Sequence, residues 1–305
     1  MFKPEGLFTA LVTPFRGGEI DEPALQRLCE RQIAAGVDGL VPCGSTGEAA
    51  TLSHDEHVRV IRAVVKFANK RVKVLAGSGS NSTEEAIALT EKARDDGADG
   101  ALLVSPYYNK PTPHGIRKHY EAVAQATGSE FPLVIYNNPR RTASNMRPQL
   151  VKELSQIEGV VGIKEASGDL DQIAETISGT GADFAVLSGD DWATPYVMLN
   201  GGCGVISTAS NLVPEKMVSM IRTWQNREFA NPESVEMNLK LLPLFRALFW
   251  ESNPIPVKAA LSFCGLIEDE LRLPLTPLSG ENRKKLHKLL RENFSEDLNP
   301  PLVDK

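Results

Sequence analysis

Eight short runs rich in Val, Leu and Ile recur along the chain: LFTALVT from Leu7, DGLVPC from Asp38, VKVLAG from Val72, DGALLVS from Asp99, PLVIYN from Pro132, VVGIK from Val160, FAVLSG from Phe184 and GVIS from Gly204. They are apolar almost throughout and do not alternate with polar residues, which is the pattern of parallel strands covered on both faces. Between them lie amphipathic segments with apolar residues three and four apart, among them Glu22–Ala35, His54–Asn69, Thr83–Asp96, His114–Thr127 and Pro148–Ile157, and these read as helices. Ser53 with Glu56, and Ser82 with Glu85, have the spacing of capping boxes. Gly36, Gly97 and Gly181 stand where helices end and a left-handed residue is wanted. Eight strand–helix units of roughly 30 residues predict an α/β fold of the (β/α)8 TIM-barrel type. An open doubly wound sheet fits less well, since it has fewer strands and a glycine fingerprint that is missing here.

After the eighth unit the pattern is purely helical, at Pro232–Ala247, Pro256–Cys264 and Gly280–Asn293, with Pro274 and Pro277 breaking the chain. The expected division is a barrel over 1–225 and a C-terminal helical extension over 226–305, whose apolar faces need the barrel or a neighbouring subunit to cover them. Apolar content of 42% excludes intrinsic disorder. The net charge of −6 is not gathered into runs, so nucleic acid and anionic membrane are not expected partners. Apolar stretches are broken well short of the ~18 residues a membrane span needs, and the N-terminal residues lack the order of a signal peptide. A cytoplasmic location follows as an expectation. Cys29, Cys43, Cys203 and Cys264 lie far apart without metal-ligand spacing, and read as buried free thiols.

In a barrel of this type the working residues sit at the C-terminal ends of the strands. Lys164 ends the run Val160-Val161-Gly162-Ile163. An ammonium there must be paired, reach water or lose its proton, and Glu165 cannot pair with it because consecutive strand residues point to opposite faces. It is either a nucleophilic amine for a Schiff base with a keto acid or a lysine snorkelling out of the barrel mouth. Tyr136 closes the preceding strand, so its phenol can converge on that amine as a proton relay, or simply cap the core. Ser45 and Thr46 lie in the Gly-bounded loop Gly44-Ser-Thr-Gly47-Glu48, suited to presenting N–H groups and hydroxyls to a carboxylate. Arg141 can clamp a second carboxylate or be a surface charge. Asp190 and Asp191 supply too few ligands for a metal, and no metal is expected.

Together these segments resemble the dihydrodipicolinate synthase / N-acetylneuraminate lyase family of Schiff-base aldolases from about Gly6 to Ser279. The resemblance rests on the 44–48 loop, Ser105-Pro-Tyr-Tyr-Asn109, Tyr136-Asn-Asn-Pro139 with Arg141-Thr142, Ile163-Lys-Glu-Ala-Ser-Gly168, Leu187-Ser-Gly-Asp-Asp191, Gly204-Val-Ile-Ser207 and Asn253-Pro-Ile-Pro-Val-Lys258. It implies an imine between Lys164 and pyruvate, which as its own electron sink needs no metal or organic cofactor, with Gly44, Thr46 and Ile206 binding substrate. Tyr136, Ser45 and Tyr108 would form the proton relay, with Tyr108 reaching in from a neighbouring subunit of a homotetramer built as a dimer of dimers. Arg141 would bind the carboxylate of an incoming aldehyde, L-aspartate 4-semialdehyde.

Ser45 and Asn138 depart from the commonest spelling of the synthase branch and leave a related sugar-acid lyase or aldolase as the alternative. Arg141-Thr142 and Leu273-Pro-Leu-Thr-Pro-Leu278 look like the synthase branch. The pattern of a lysine-effector pocket also matches, at Ala49, Ala50, His54, His57, Asn81, Glu85 and Tyr107, so inhibition by L-lysine is expected. A reading from another class, a non-catalytic ligand-binding barrel, would leave Lys164 a mere surface charge.

Overall fold

The computed structural model describes residues 2–225 and 232–303. In chain order the elements are β1 (Gly6–Ala10), a small hairpin of β2 (Phe15–Arg16) and β3 (Glu19–Ile20), α1 (Glu22–Ala35), β4 (Gly39–Val41), α2 (His54–Ala68), β5 (Lys73–Gly77), α3 (Thr83–Asp95), β6 (Gly100–Val104) and α4 (Pro113–Thr127). There follow β7 (Leu133–Asn137), the short α5 (Pro139–Thr142), α6 (Pro148–Leu154), β8 (Val160–Glu165), α7 (Leu170–Gly179), β9 (Ala185–Ser188), α8 (Thr194–Leu199), β10 (Gly204–Ser207) and α9 (Pro214–Gln225). The last three are α10 (Pro232–Ala247), α11 (Ile255–Phe263) and α12 (Gly280–Asn293).

The eight predicted runs are the eight strands of a closed parallel barrel in the order β1-β10-β9-β8-β7-β6-β5-β4. Two apolar layers explain why they read as unbroken apolar runs. Leu7, Leu40, Leu103 and Ile135 pack outward under the helices. Phe8, Val41, Leu75, Leu102, Val134 and Leu187 fill the barrel. The inner layer is tight: a Cβ at Gly39 would lie 2.2 Å from the ring of its register partner Phe8, so only glycine fits there.

The local signals read along the sequence are present with two exceptions. Ser53 and Glu56 form the complete capping box at α2. At α3 only half forms, because Ser82 accepts from the Glu85 N–H while the Glu85 carboxylate turns to other partners. Gly36 and Gly97 are left-handed at φ 86° and 91°. Gly181 is not: α7 is closed by extended Thr180, whose hydroxyl donates to the Thr176 carbonyl at 2.9 Å. The expected boundary after residue 225 adjoins 226–231, which lie outside the described residues.

The C-terminal helices are bound into the barrel mouth. All nine residues of α11 are buried. Lys258 is fully enclosed, 2.5 Å from Glu48 Oε1, donating to the Thr13 carbonyl at 3.0 Å and lying over the Phe15 ring. The second oxygen of Glu48 accepts from the Arg272 backbone at 3.1 Å, while the Arg272 guanidinium forks onto Glu56. Burial pulls the Lys258 amine below its ordinary range and Glu48 opposes it.

Removing one member of a buried pair strands the other charge. Lys258→Met is expected to lose about 3–5 kcal/mol in urea unfolding, and adding Glu48→Gln to recover more than half of it. A single variant as stable as the parent would show that the pair does not hold the extension.

Candidate active site

Lys164 and Tyr136 are register partners on β8 and β7. Each is 7% exposed, and the lysine Nζ lies 4.5 Å from the centre of the phenol ring. A bulge on β8 makes them partners. Leu133 pairs with Val160, but Val134 already pairs with Gly162, so one extra residue is accommodated at Val161. Val160 packs outward under the helices, and without the bulge strict alternation over 160–164 would send Lys164 outward too. Glu165 does face away from Lys164. Its carboxylate accepts from Asn137 Nδ2 at 3.1 Å and the Ser167 N–H at 2.7 Å, and burial raises its carboxyl above the ordinary range.

At the end of β9, burial pushes the Asp190 carboxyl up to about 6, against the pull of the Lys164 charge. Asp191 is committed elsewhere: its Oδ2 accepts from the N–H groups of Thr208 and Ala209 at 3.2 and 2.9 Å.

The 44–48 loop closes on itself through Gly47 N–H to Gly44 O at 3.1 Å and Glu48 N–H to Ser45 O at 3.2 Å. The Ser45 and Thr46 N–H groups donate to no protein carbonyl among the described residues, so they are available to an anion. Asn253, which precedes α11, ties two elements together. Its Nδ2 donates to Thr46 Oγ1 at 2.9 Å, and its carbonyl accepts from Arg141 Nη2 at 2.9 Å. Asn138 caps α5 and reaches back to Tyr136 Oη at 2.9 Å.

Lys164, Tyr136, Gly44, Ser45, Thr46 and Arg141 line one cavity of about 380 Å³. The same cavity continues to Ala49, Ala50, His54, His57, Glu85 and Tyr107. There His54 Nε2 stands 2.6 Å from Glu85 Oε1, and Ser80 donates to the other oxygen. These hydrogen bonds, Ser80 first, hold the Glu85 carboxyl below its usual range. His57 Nε2 meets the Gly77 carbonyl at 2.7 Å, an acceptor, so that nitrogen carries the proton; burial lowers its affinity for a second.

Three predicted site residues stand outside the cavity lining. Ile206 is packed in the barrel interior opposite Phe8. Asn81 offers its carbonyl to Asn109 Nδ2. Tyr108, at φ 69°, is 88% exposed. Conversely, Asn253, Asp190 and Asn138 line the cavity although sequence reasoning does not single them out as site residues; all three stand in segments that carry the family resemblance. Among the described residues no group of three or more His, Cys, Asp or Glu side chains could hold a metal. No helix among them is long and apolar enough to cross a membrane. Cys29, Cys43 and Cys264 are buried free thiols and Cys203 is partly exposed.

An inward lysine and tyrosine at adjacent strand ends, facing a loop with free N–H groups, suit imine chemistry on a small keto acid. The sequence model of the dihydrodipicolinate synthetase family matches residues 3–293. The chain belongs to that family. Among its relatives, the 4-hydroxy-tetrahydrodipicolinate synthase of Nitratidesulfovibrio vulgaris is 50% identical over 286 residues, 93% of this chain and 97% of the relative. The chloride-inhibited dihydrodipicolinate synthase of Acinetobacter baumannii, solved in complex with pyruvate, superposes with a TM-score of 0.91 at 43% identity, covering 94% of this chain and 98% of that one. The Cyanidioschyzon merolae synthase, solved with lysine bound, gives 0.90 at 39% identity over 94% and 97% of the two chains.

The Asp190 carboxyl makes a prediction about stability. Its folded value, about 6, lies above the ordinary 3.8. The folded chain therefore binds this proton more tightly than the unfolded one, and stability falls as pH rises from about 4 to about 6. Asp190→Asn removes that loss: it should be ~1–3 kcal/mol more stable than the parent at about pH 8 and equal to it at about pH 4. Urea titrations at the two pH values check this, and a pH-independent difference would refute it.

Proposed function

We propose that this chain condenses pyruvate with L-aspartate 4-semialdehyde to 4-hydroxy-tetrahydrodipicolinate in lysine biosynthesis, as its named relatives do. The observation that carries the reading is the buried amine of Lys164 against the phenol of Tyr136, in one cavity with the free N–H groups of the 44–48 loop.

The loop binds the pyruvate carboxylate, with the Thr46 hydroxyl held by Asn253. The Lys164 amine adds to the keto carbon, and the resulting carbinolamine loses water to give an iminium, which is the electron sink. Loss of a methyl proton gives the enamine, which attacks the aldehyde. The amino group of the second substrate then closes the ring on the former keto carbon and releases the lysine amine. Tyr136 and Ser45 carry protons in these steps, joined by Tyr108 of a neighbouring subunit in a tetramer of two dimers, which its exposure permits. Arg141, steadied by the Asn253 carbonyl, receives the semialdehyde carboxylate. The protein works in the cytoplasm.

L-Lysine, found in the Cyanidioschyzon merolae relative, inhibits from the cavity arm at His54, His57, Glu85 and Tyr107. Its α-ammonium takes the place of His54 on the Glu85 carboxylate.

Borohydride should trap a pyruvate adduct on Lys164, and Lys164→Ala should lose it together with at least ~10³-fold in kcat. Arg141→Ala should retain trapping while kcat/KM for the semialdehyde falls roughly 10–100-fold. Trapping without any condensation would favour a sugar-acid lyase, and no adduct a binding protein. For the effector, Glu85→Gln should raise the lysine concentration for half-inhibition at least ~10-fold, read from inhibition curves; an unchanged curve would move the effector elsewhere.

A further inference from the structure

Asn138 stands two residues beyond Tyr136, and both ends of its side-chain amide are engaged. Oδ1 accepts from the Arg141 backbone N–H at 3.3 Å, a group that can only donate. That fixes which way the amide faces, so Nδ2 is the end that meets Tyr136 Oη at 2.9 Å. An amide N–H has no lone pair to offer, so the phenol oxygen accepts and its own proton cannot point at Asn138. A phenolic O–H lies near the ring plane in one of two directions. With Asn138 donating from one side, the O–H takes the direction away from it, and Tyr136 lines the cavity shared with Ser45 and Lys164.

We infer that Asn138 is a positioning residue for the proton relay, aiming the Tyr136 hydroxyl at the carbinolamine formed on Lys164. The inference rests on the reading of Tyr136 as the relay. In the step it serves, the phenol gives its proton to the leaving hydroxyl and the nitrogen lone pair forms the C=N bond, yielding water, an iminium and a phenolate. The phenolate, accepting from Asn138 Nδ2, then takes a methyl proton from the iminium, which restores the phenol and leaves the neutral enamine. One amide thus serves both halves of the relay: it directs the O–H before transfer and donates to the oxyanion after it.

Two substitutions separate this role from capping of α5. Asn138→Asp keeps an acceptor for the Arg141 N–H but turns only acceptor oxygens toward the phenol, so the O–H swings to it; Asn138→Val loses cap and donor together. Rapid quenching with borohydride and mass spectrometry read the rate of imine formation. The rate is expected to fall roughly tenfold or more in both variants, with KM for pyruvate within ~3-fold of the parent and the melting temperature of Asn138→Asp at or above the parent's. An Asn138→Asp rate within ~2-fold of the parent, with only Asn138→Val impaired, would reduce Asn138 to a helix cap and overturn the inference. Imine formation is read apart from condensation. A parent that traps pyruvate but leaves the semialdehyde untouched overturns the synthase reading, while the variants still decide the part played by Asn138; a parent that forms no imine overturns both.

Discussion

The extra residue in β8 decides where the amine of Lys164 points. A strand that begins with Val160 facing the helices would, by strict alternation, end with residue 164 facing them as well. The bulge at Val161 reverses that parity, brings Lys164 level with Tyr136, and sets the nitrogen 4.5 Å from the ring centre. The same reversal turns Glu165 outward to Asn137 and Ser167, where its carboxylate is satisfied without touching the amine. A single local irregularity thus separates a buried lysine from a buried glutamate that are adjacent in sequence.

What could be read from the sequence was what adjacent residues determine. The eight strands, the long helices and the capping box at Ser53 follow from periodicity and from contacts three or four residues apart. Glu85 shows the limit: its spacing from Ser82 is that of a capping box, yet Ser80 and His54 compete for the carboxylate and win. Gly181 likewise stood where a left-handed residue was wanted, but Thr180 ends the helix in extended backbone. Asn253 and Lys258 act across more than 200 residues of chain, on Thr46 and Glu48; no periodicity encodes that. The bulge itself had no signal beyond a glycine at 162, and the resemblance brought in Ile206, which the barrel packs into its interior.

The C-terminal helices therefore do more than cover apolar faces. Asn253 holds the Thr46 hydroxyl with its side chain and the Arg141 guanidinium with its carbonyl, so one residue spaces the two groups proposed to grip the two substrate carboxylates. Behind it, Lys258 and Arg272 anchor Glu48, the last residue of the 44–48 loop, which sits in the left-handed region at φ 54°. Positive φ at a glutamate is unfavourable unless its surroundings compensate, and the two contacts to the carboxylate do so. Loop shape is thus set from the extension as well as by the loop's own hydrogen bonds.

Two lysines are buried among the described residues, and their partners tell them apart. Lys258 has a carboxylate at 2.5 Å, a carbonyl at 3.0 Å and an aromatic face, a complete set for a buried ammonium. Lys164, as inaccessible as many core residues, has the face of Tyr136 and the distant field of Asp190, and no ion pair among the described residues. An amine left without a close counter-charge at the mouth of a packed barrel is poorly served as a structural cation and well placed as a nucleophile. The fold completes the pairing of one lysine and withholds it from the other, which is the difference the proposed imine chemistry calls for.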